Sequence, residues 1–127
     1  MNQFAAAAWE RAHRTLASAQ MLVATDPDSA ASRAYYAAFH ALTALFAVRG
    51  QSFTKHTAIR SALHRELVRP GLLSADEGRD YNFLMESRET GDYGGPTHVP
   101  RDDAATAVHK AEAFLFAVRR ACPELAD

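Results

Sequence analysis

The sequence predicts an all-α fold, a bundle of four to five helices. Apolar residues recur at three- and four-residue steps through most of the 127 residues, and proline and glycine gather at a few points that cut those runs into helix-sized lengths. No stretch combines period-two alternation with the β-branched content that a strand needs.

The first helix is expected over about residues 2 to 25, with Phe4, Ala8, Trp9, Ala12, Leu16, Ala19 and Leu22 on one stripe. It stops at Asp26-Pro27, where Asp26 as N-cap and Pro27 in the first turn open a second helix that ends at Gly50. Thr54 is placed to cap the third, whose face is Ile59, Leu63 and Leu67 and whose stop is Pro70-Gly71. Ser74-Ala75-Asp76-Glu77 reads as a capping box for the fourth, which carries Tyr81, Leu84 and Met85. From about Asp102 the last helix sets Ala104, Val108, Ala111, Leu115, Val118 and Cys122 in four-three alternation, the seam of a helix nearly antiparallel to a neighbour. Gly91 to Pro100, with three glycines and two prolines, is the one substantial irregular segment.

Residues 1-127 make one domain, long enough to bury a real core and too short for two. A hydrophobic content of 48% argues against a disordered tail. The lone Cys122 leaves no intramolecular disulfide and no multi-cysteine metal site, which points to a reducing, cytoplasmic setting. The apolar run from Phe4 to Trp9 meets Glu10, Arg11 and Arg14, too soon for a signal-peptide core or a membrane span. Net charge is only −1, but it is unevenly spread. Residues 49 to 69 carry Arg49, Lys55, Arg60, Arg65 and Arg69 against Glu66 alone, and residues 70 to 93 carry six acids against Arg79 and Arg88. Two solvated faces that attract each other, or a basic lip beside a site, would each account for this.

The candidate chemistry lies in the second helix. Arg33 and His40 are seven residues apart, so they leave the same face, about 10.5 Å apart along the axis. Side chains lean toward the helix N-terminus, which tilts His40 back toward the long Arg33. Tyr35, Phe39, Leu42 and Phe46 fall on the opposite side as the core face. The Arg33 and His40 stripe, continued by Tyr36, Ala37, Ala44 and Ala47, is then expected to face away from the core, a row of mostly small residues along which a second helix or a ligand could come close. A cation and a titratable imidazole on one stripe suit a phosphate. The other histidines suggest no metal: His56 and His64 are eight apart, no H-E-x-x-H occurs, and His13, His98 and His109 lack companions in sequence. Gly91, Gly94 and Gly95 follow a helix and make no dinucleotide or Walker loop, so no cofactor is expected.

Arg33-Ala-Tyr-Tyr-Ala-Ala-Phe-His40, Gly50, His56 and Arg88-Glu-Thr-Gly-Asp92-Tyr93 before an alanine-rich closing helix resemble, in this order and spacing, the small stand-alone prokaryotic branch of the HEPN domain family. The similarity runs over roughly residues 5 to 120. The resemblance implies an up-and-down helical bundle, usually dimeric and often paired with an MNT-type nucleotidyltransferase as toxin and antitoxin. It also implies, for many members, a metal-independent ribonuclease whose signature is an Arg separated from a His by four to six residues. Arg33 and His40 match the widest spacing. A longer signature, with His five residues after the Arg and Tyr two further on, is not met at Arg88, where the fifth following residue is Tyr93.

On that reading Arg33 and His40 are the catalytic pair, acting when a ribose 2′-OH attacks the adjacent phosphate of RNA. His40 moves the proton and Arg33 stabilises the charge growing on the phosphoryl oxygens. One histidine is poorly suited to be base and acid in one step, so a homodimer through the helix-two face is expected. Tyr36, Arg88 and Tyr93 are the candidate substrate contacts. The alternative roles are an ion pair with Asp92 for Arg88 and packing for Tyr93. Neither DNA nor a membrane is an expected partner. The competing expectation is a non-catalytic HEPN module that uses the same helices to bind a nucleotide or a protein.

Overall fold

In the computed structural model, which describes residues 2–125, every expected helix forms. α1 (Gln3–Leu22) begins at Asn2, whose side chain accepts a 2.7 Å hydrogen bond from the Ala5 N–H. α2 (Pro27–Val48) follows, with the Asp26 carboxylate taking the Ser29 N–H and Pro27 in the first turn. α3 (His56–Ala62) passes without a break into a π-helical stretch, Leu63–Val68, where the Arg69 N–H bonds the His64 carbonyl five residues back at 2.9 Å. α4 (Ala75–Tyr93) starts with the Ser74 and Glu77 capping box, both of whose hydrogen bonds form. α5 (Arg101–Ala121) ends in a short 3₁₀ turn, Pro123–Leu125.

α2 is the hub, packed against α1, α4 and α5. Asn2 at the start of α1 donates to the Ala47 carbonyl at the end of α2, so these two run antiparallel. α4 is antiparallel to both α2 and α5: Gly91 meets Asp28, Lys110 pairs with Asp80 at 2.8 Å, and Arg120 pairs with Glu77 at 2.9 Å. The core gathers Tyr35, Leu42, Leu45, Phe46, Tyr81, Leu84 and Phe114, all buried, and the α5 seam from Ala104 to Cys122 is buried throughout.

Several expectations need correction. Phe4 is 54% exposed; the inner face of α1 is Ala5, Trp9, Ala12, Thr15 and Ala19, whose three alanines let α1 lie close to α2 while Trp9 packs into the core. Ala37 and Ala44 are fully buried and do not share the exposure of Arg33, and Phe39 is only half-buried. Thr54 caps nothing, because His56, held by Tyr35, is the first residue of α3 and Lys55 takes the N-cap position with no side-chain bond. Gly91, Asp92 and Tyr93 belong to α4, whose hydrogen bonding continues until Gly94 turns the chain at φ 71°. The loop that remains, residues 94 to 100, is pinned to the start of α2. Asp28 accepts from the Val99 N–H at 2.7 Å and contacts His98 Nδ1 at 2.7 Å, while the Val99 side chain plugs a small cluster with Ala30, Ala31 and Ala104. The acids of residues 70 to 93 do not meet the basic stretch before them. Asp80 and Glu77 turn to α5, and Asp76 pairs with Arg79 on its own helix.

Candidate functional site

α2 is covered on three sides, and its remaining side is a stripe of part-exposed residues in four-three steps: Ser29, Arg33, Tyr36, His40, Thr43 and Ala47. Beside it α1 raises a wall, and between the two lies a groove made of three adjoining depressions. The basic end, about 430 Å³, is lined by Arg11, Arg14, Thr15, Ser18, Arg33 and His40. A middle section of about 230 Å³ shares Arg11 and His40 with it and adds Phe4 and Thr43. The far end, about 320 Å³, shares Phe4 and Thr43 with the middle and is closed by Phe46, Phe53 and Ile59.

The groove thus holds both residues of the expected catalytic pair. Arg33 is exposed and His40 half-buried. Burial first, then the Arg11 and Arg33 guanidinium groups, holds the His40 imidazole below its ordinary pKa of 6.5, so it is neutral at neutral pH. A neutral imidazole among cations can accept a proton, and the cations can hold a phosphate while it does so. Arg11 and Arg14 were beyond the reach of the sequence reading. Both are ordinary exposed arginines of α1 that acquire a role only because α1 docks antiparallel on α2. The basic stretch from Arg49 to Arg69, by contrast, sends none of its charged side chains into the groove lining.

Tyr36 and Arg88 meet on the other flank of the stripe. Arg88 donates to the Tyr36 hydroxyl at 3.3 Å, sits 5.0 Å from the Tyr35 ring centroid and pairs with Asp92 at 3.7 Å. Its Nε is buried without an acceptor among the described residues. Behind it Tyr81 donates to the Tyr35 oxygen at 3.4 Å, and Tyr35 lies 2.6 Å from His56 Nδ1. Burial raises the pKa of both phenols, and burial followed by Arg88 lowers that of His56, so the Tyr35 O–H donates to a neutral ring. The Tyr36 ring bridges the two flanks, its centroid 6.3 Å from that of His40 and 5.9 Å from that of His56. Tyr93 is remote from this cluster in character. It is 86% exposed, beside Glu86 and Glu89 at the end of α4.

The imidazoles make stability depend on pH. His13, His40 and His56 are all held below 6.5, His13 by burial and then by Arg119. Between the lowered folded value and 6.5 the unfolded chain binds more protons than the folded one, so stability rises with pH across that window. The thermal midpoint is expected to be level above about pH 7 and to fall as pH drops below the ordinary histidine value. A further fall belongs to more acid solution, where Asp28, held low by the Val99 N–H and then His98, and Glu77, held low by Arg120, take up protons. Calorimetry from pH 8 to 4 checks this, and a midpoint that rises on acidification from pH 7 to 5 would contradict it.

No helix among the described residues is long and apolar enough to cross a membrane. Comparison with known proteins finds a family model for the HEPN domain matching residues 5–121. A "UPF0332 protein" of Thermotoga maritima is 35% identical over 116 residues, covering 91% of this chain and 88% of that protein. A Methanocaldococcus jannaschii protein named "Putative toxin MJ0142" is 25% identical over 107 residues, covering 84% and 73% respectively. In three dimensions the chain resembles the crystal structure of TT1696 from Thermus thermophilus, with a TM-score of 0.77, coverage of 95% and 99%, and 22% identity, a likeness of fold.

Proposed function

The chain belongs to the HEPN domain family, and from that premise and the groove we propose that it is a metal-independent endoribonuclease, the toxin of a toxin-antitoxin pair held in check by an MNT-type nucleotidyltransferase. The observation that carries the reading is His40, half-buried and kept neutral among Arg11, Arg14 and Arg33 on the uncovered side of α2. The arginines seat a phosphate, and His40 takes the proton of the neighbouring ribose 2′-OH as its oxygen bonds to phosphorus. The leaving 5′-oxygen then needs a proton from a second acid.

A homodimer supplies that acid. The part-exposed α2 stripe has the four-three spacing of a helix-helix seam, and pairing two copies across its Tyr36 flank brings two His40 side chains toward one axis while the groove on the α1 side stays open. A phosphate seated among the arginines offsets their charge and lets one of the two imidazoles hold a proton, which makes one the base and the other the acid. Tyr36 lies on the same stripe beside His40, with Arg88 behind it.

A second reading is favoured by the single imidazole of the groove: a non-catalytic module that binds a nucleotide or an acidic protein segment through the same arginines. The discriminating measurement is cleavage of single-stranded RNA in EDTA by the unaltered chain and by His40→Ala, and equal cleavage by the two ends the ribonuclease reading. The toxin name of the Methanocaldococcus jannaschii relative supports the pairing, which co-purification with a co-expressed neighbouring nucleotidyltransferase tests separately.

A further inference from the structure

We propose that the apolar end of the groove is a nucleobase pocket. One unpaired base of an RNA strand enters beside Phe4 and Phe53, and the phosphate attached to it lies at Arg11 and His40. The inference rests on the RNA reading of the groove and adds what portion of the strand is recognised, and where.

Three observations carry it. The depressions adjoin one another, with Phe4 and Thr43 shared by the apolar end and the middle, and Arg11 and His40 shared by the middle and the basic end. Their chemistry is graded along one line, from phenyl rings through a hydroxyl and an imidazole to guanidinium groups. A nucleotide has the matching order, a flat π-faced base and an anion separated by a short sugar, whereas an acidic peptide would leave the ring-lined end without a partner. Finally, Phe4 is 54% exposed and lies off the inner face of α1, which is Ala5, Trp9, Ala12, Thr15 and Ala19, so core packing does not account for a phenyl there. It borders the cavity, whose opposite wall is fixed by Phe46, fully buried, and Phe53, their rings edge to face at 5.1 Å. At about 320 Å³ the cavity lies at the small end of the range for ligand pockets, and Ser52 and Gln51 at its lining offer polar groups to a base edge.

The test uses the full chain and a hexanucleotide of 2′-O-methyl RNA, which lacks the attacking hydroxyl and so reports binding without cleavage. Its companion probe is a hexamer of the same backbone with no bases. By fluorescence anisotropy, Phe4→Ala is expected to weaken binding of the base-bearing probe about tenfold, the effect of losing one base-aromatic stack. The same variant should leave the weaker binding of the abasic probe unchanged. Phe116→Ala, which removes another exposed ring on α5, 62% exposed, should alter neither. Unchanged affinity of Phe4→Ala for the base-bearing probe overturns the pocket, and so does an equal loss for both probes. A drop in the sedimenting mass of Phe4→Ala also overturns it, by making the ring a contact between copies. Phe4-dependent binding by a chain that cuts no RNA leaves the pocket standing and removes the ribonuclease, while cutting without Phe4 dependence does the reverse.

Discussion

His40→Ala is expected to reduce cleavage of single-stranded RNA in EDTA by about 10²- to 10⁴-fold, the contribution of a positioned general acid or base. The fold should survive. His40 is half-buried at a cost to its charged form, it has no hydrogen bond to lose among the described residues, and alanine is the better helix former. Circular dichroism and the thermal midpoint of the variant should therefore match or exceed those of the parent, which separates a chemical effect from unfolding. The groove also predicts the pH profile. Because burial and the two guanidinium groups depress the His40 pKa, the acidic limb of kcat/KM should lie below pH 6.5. Arg11→Ala should move that limb upward toward the ordinary histidine value, since a neighbouring cation that disfavours the imidazolium is gone. A limb that stays in place would show that His40 is not the group being titrated.

Gly91→Ala should destabilise the protein by about 1–3 kcal/mol, the typical cost of forcing an extra carbon into a packed interface. The sign makes this a sharp test, because alanine in place of glycine within a helix ordinarily stabilises by about 1 kcal/mol. Packing wins here because a Cβ at Gly91 would lie 2.5 Å from the backbone carbonyl oxygen of Asp28, and backbone cannot swing aside. α4 would have to back away from the first turn of α2, disturbing the residue that holds His98 and Val99. Gly78 provides the comparison. There the nearest atom is His64 Cε1 at 2.9 Å, the edge of a side chain that can rotate if it gives up Asn82, so Gly78→Ala should cost less. Thermal denaturation of both variants reads the order directly, and a raised midpoint for Gly91→Ala would refute the steric account.

What could be read from the sequence was mostly what local chemistry dictates. The Asp26-Pro27 start, the Ser74 and Glu77 box and the α5 seam each depend on residues within a turn or two of each other, and each forms as read. The errors share a different cause. Alanine carries almost no signal of its own burial, so Ala37 and Ala44 group with the outward Arg33 and His40 stripe although both are fully buried. Gly91 to Tyr93 read as loop because glycine breaks helices on average, whereas here a missing Cβ is what lets α4 reach α2. The same limit applies to the groove. Arg33 and His40 share one helix and could be paired by counting, but Arg11 and Arg14 join them only through the docking of α1, which no spacing within a helix encodes.

The alanine contact between α1 and α2 has a consequence for how the chain can change over generations. Ala5, Ala12 and Ala19 of α1 and Ala34, Ala37, Ala41 and Ala44 of α2 all have no exposed surface, and the two helices pack antiparallel. Such a joint is specified by what it excludes. Losing a methyl costs about 1 kcal/mol of helix propensity, and gaining one forces the paired backbones apart at a cost of about 1–3 kcal/mol. Drift at these positions is therefore restrained in both directions. The groove wall above inherits that restraint: the distance from Arg11 and Arg14 to His40 is held by side chains too small to vary.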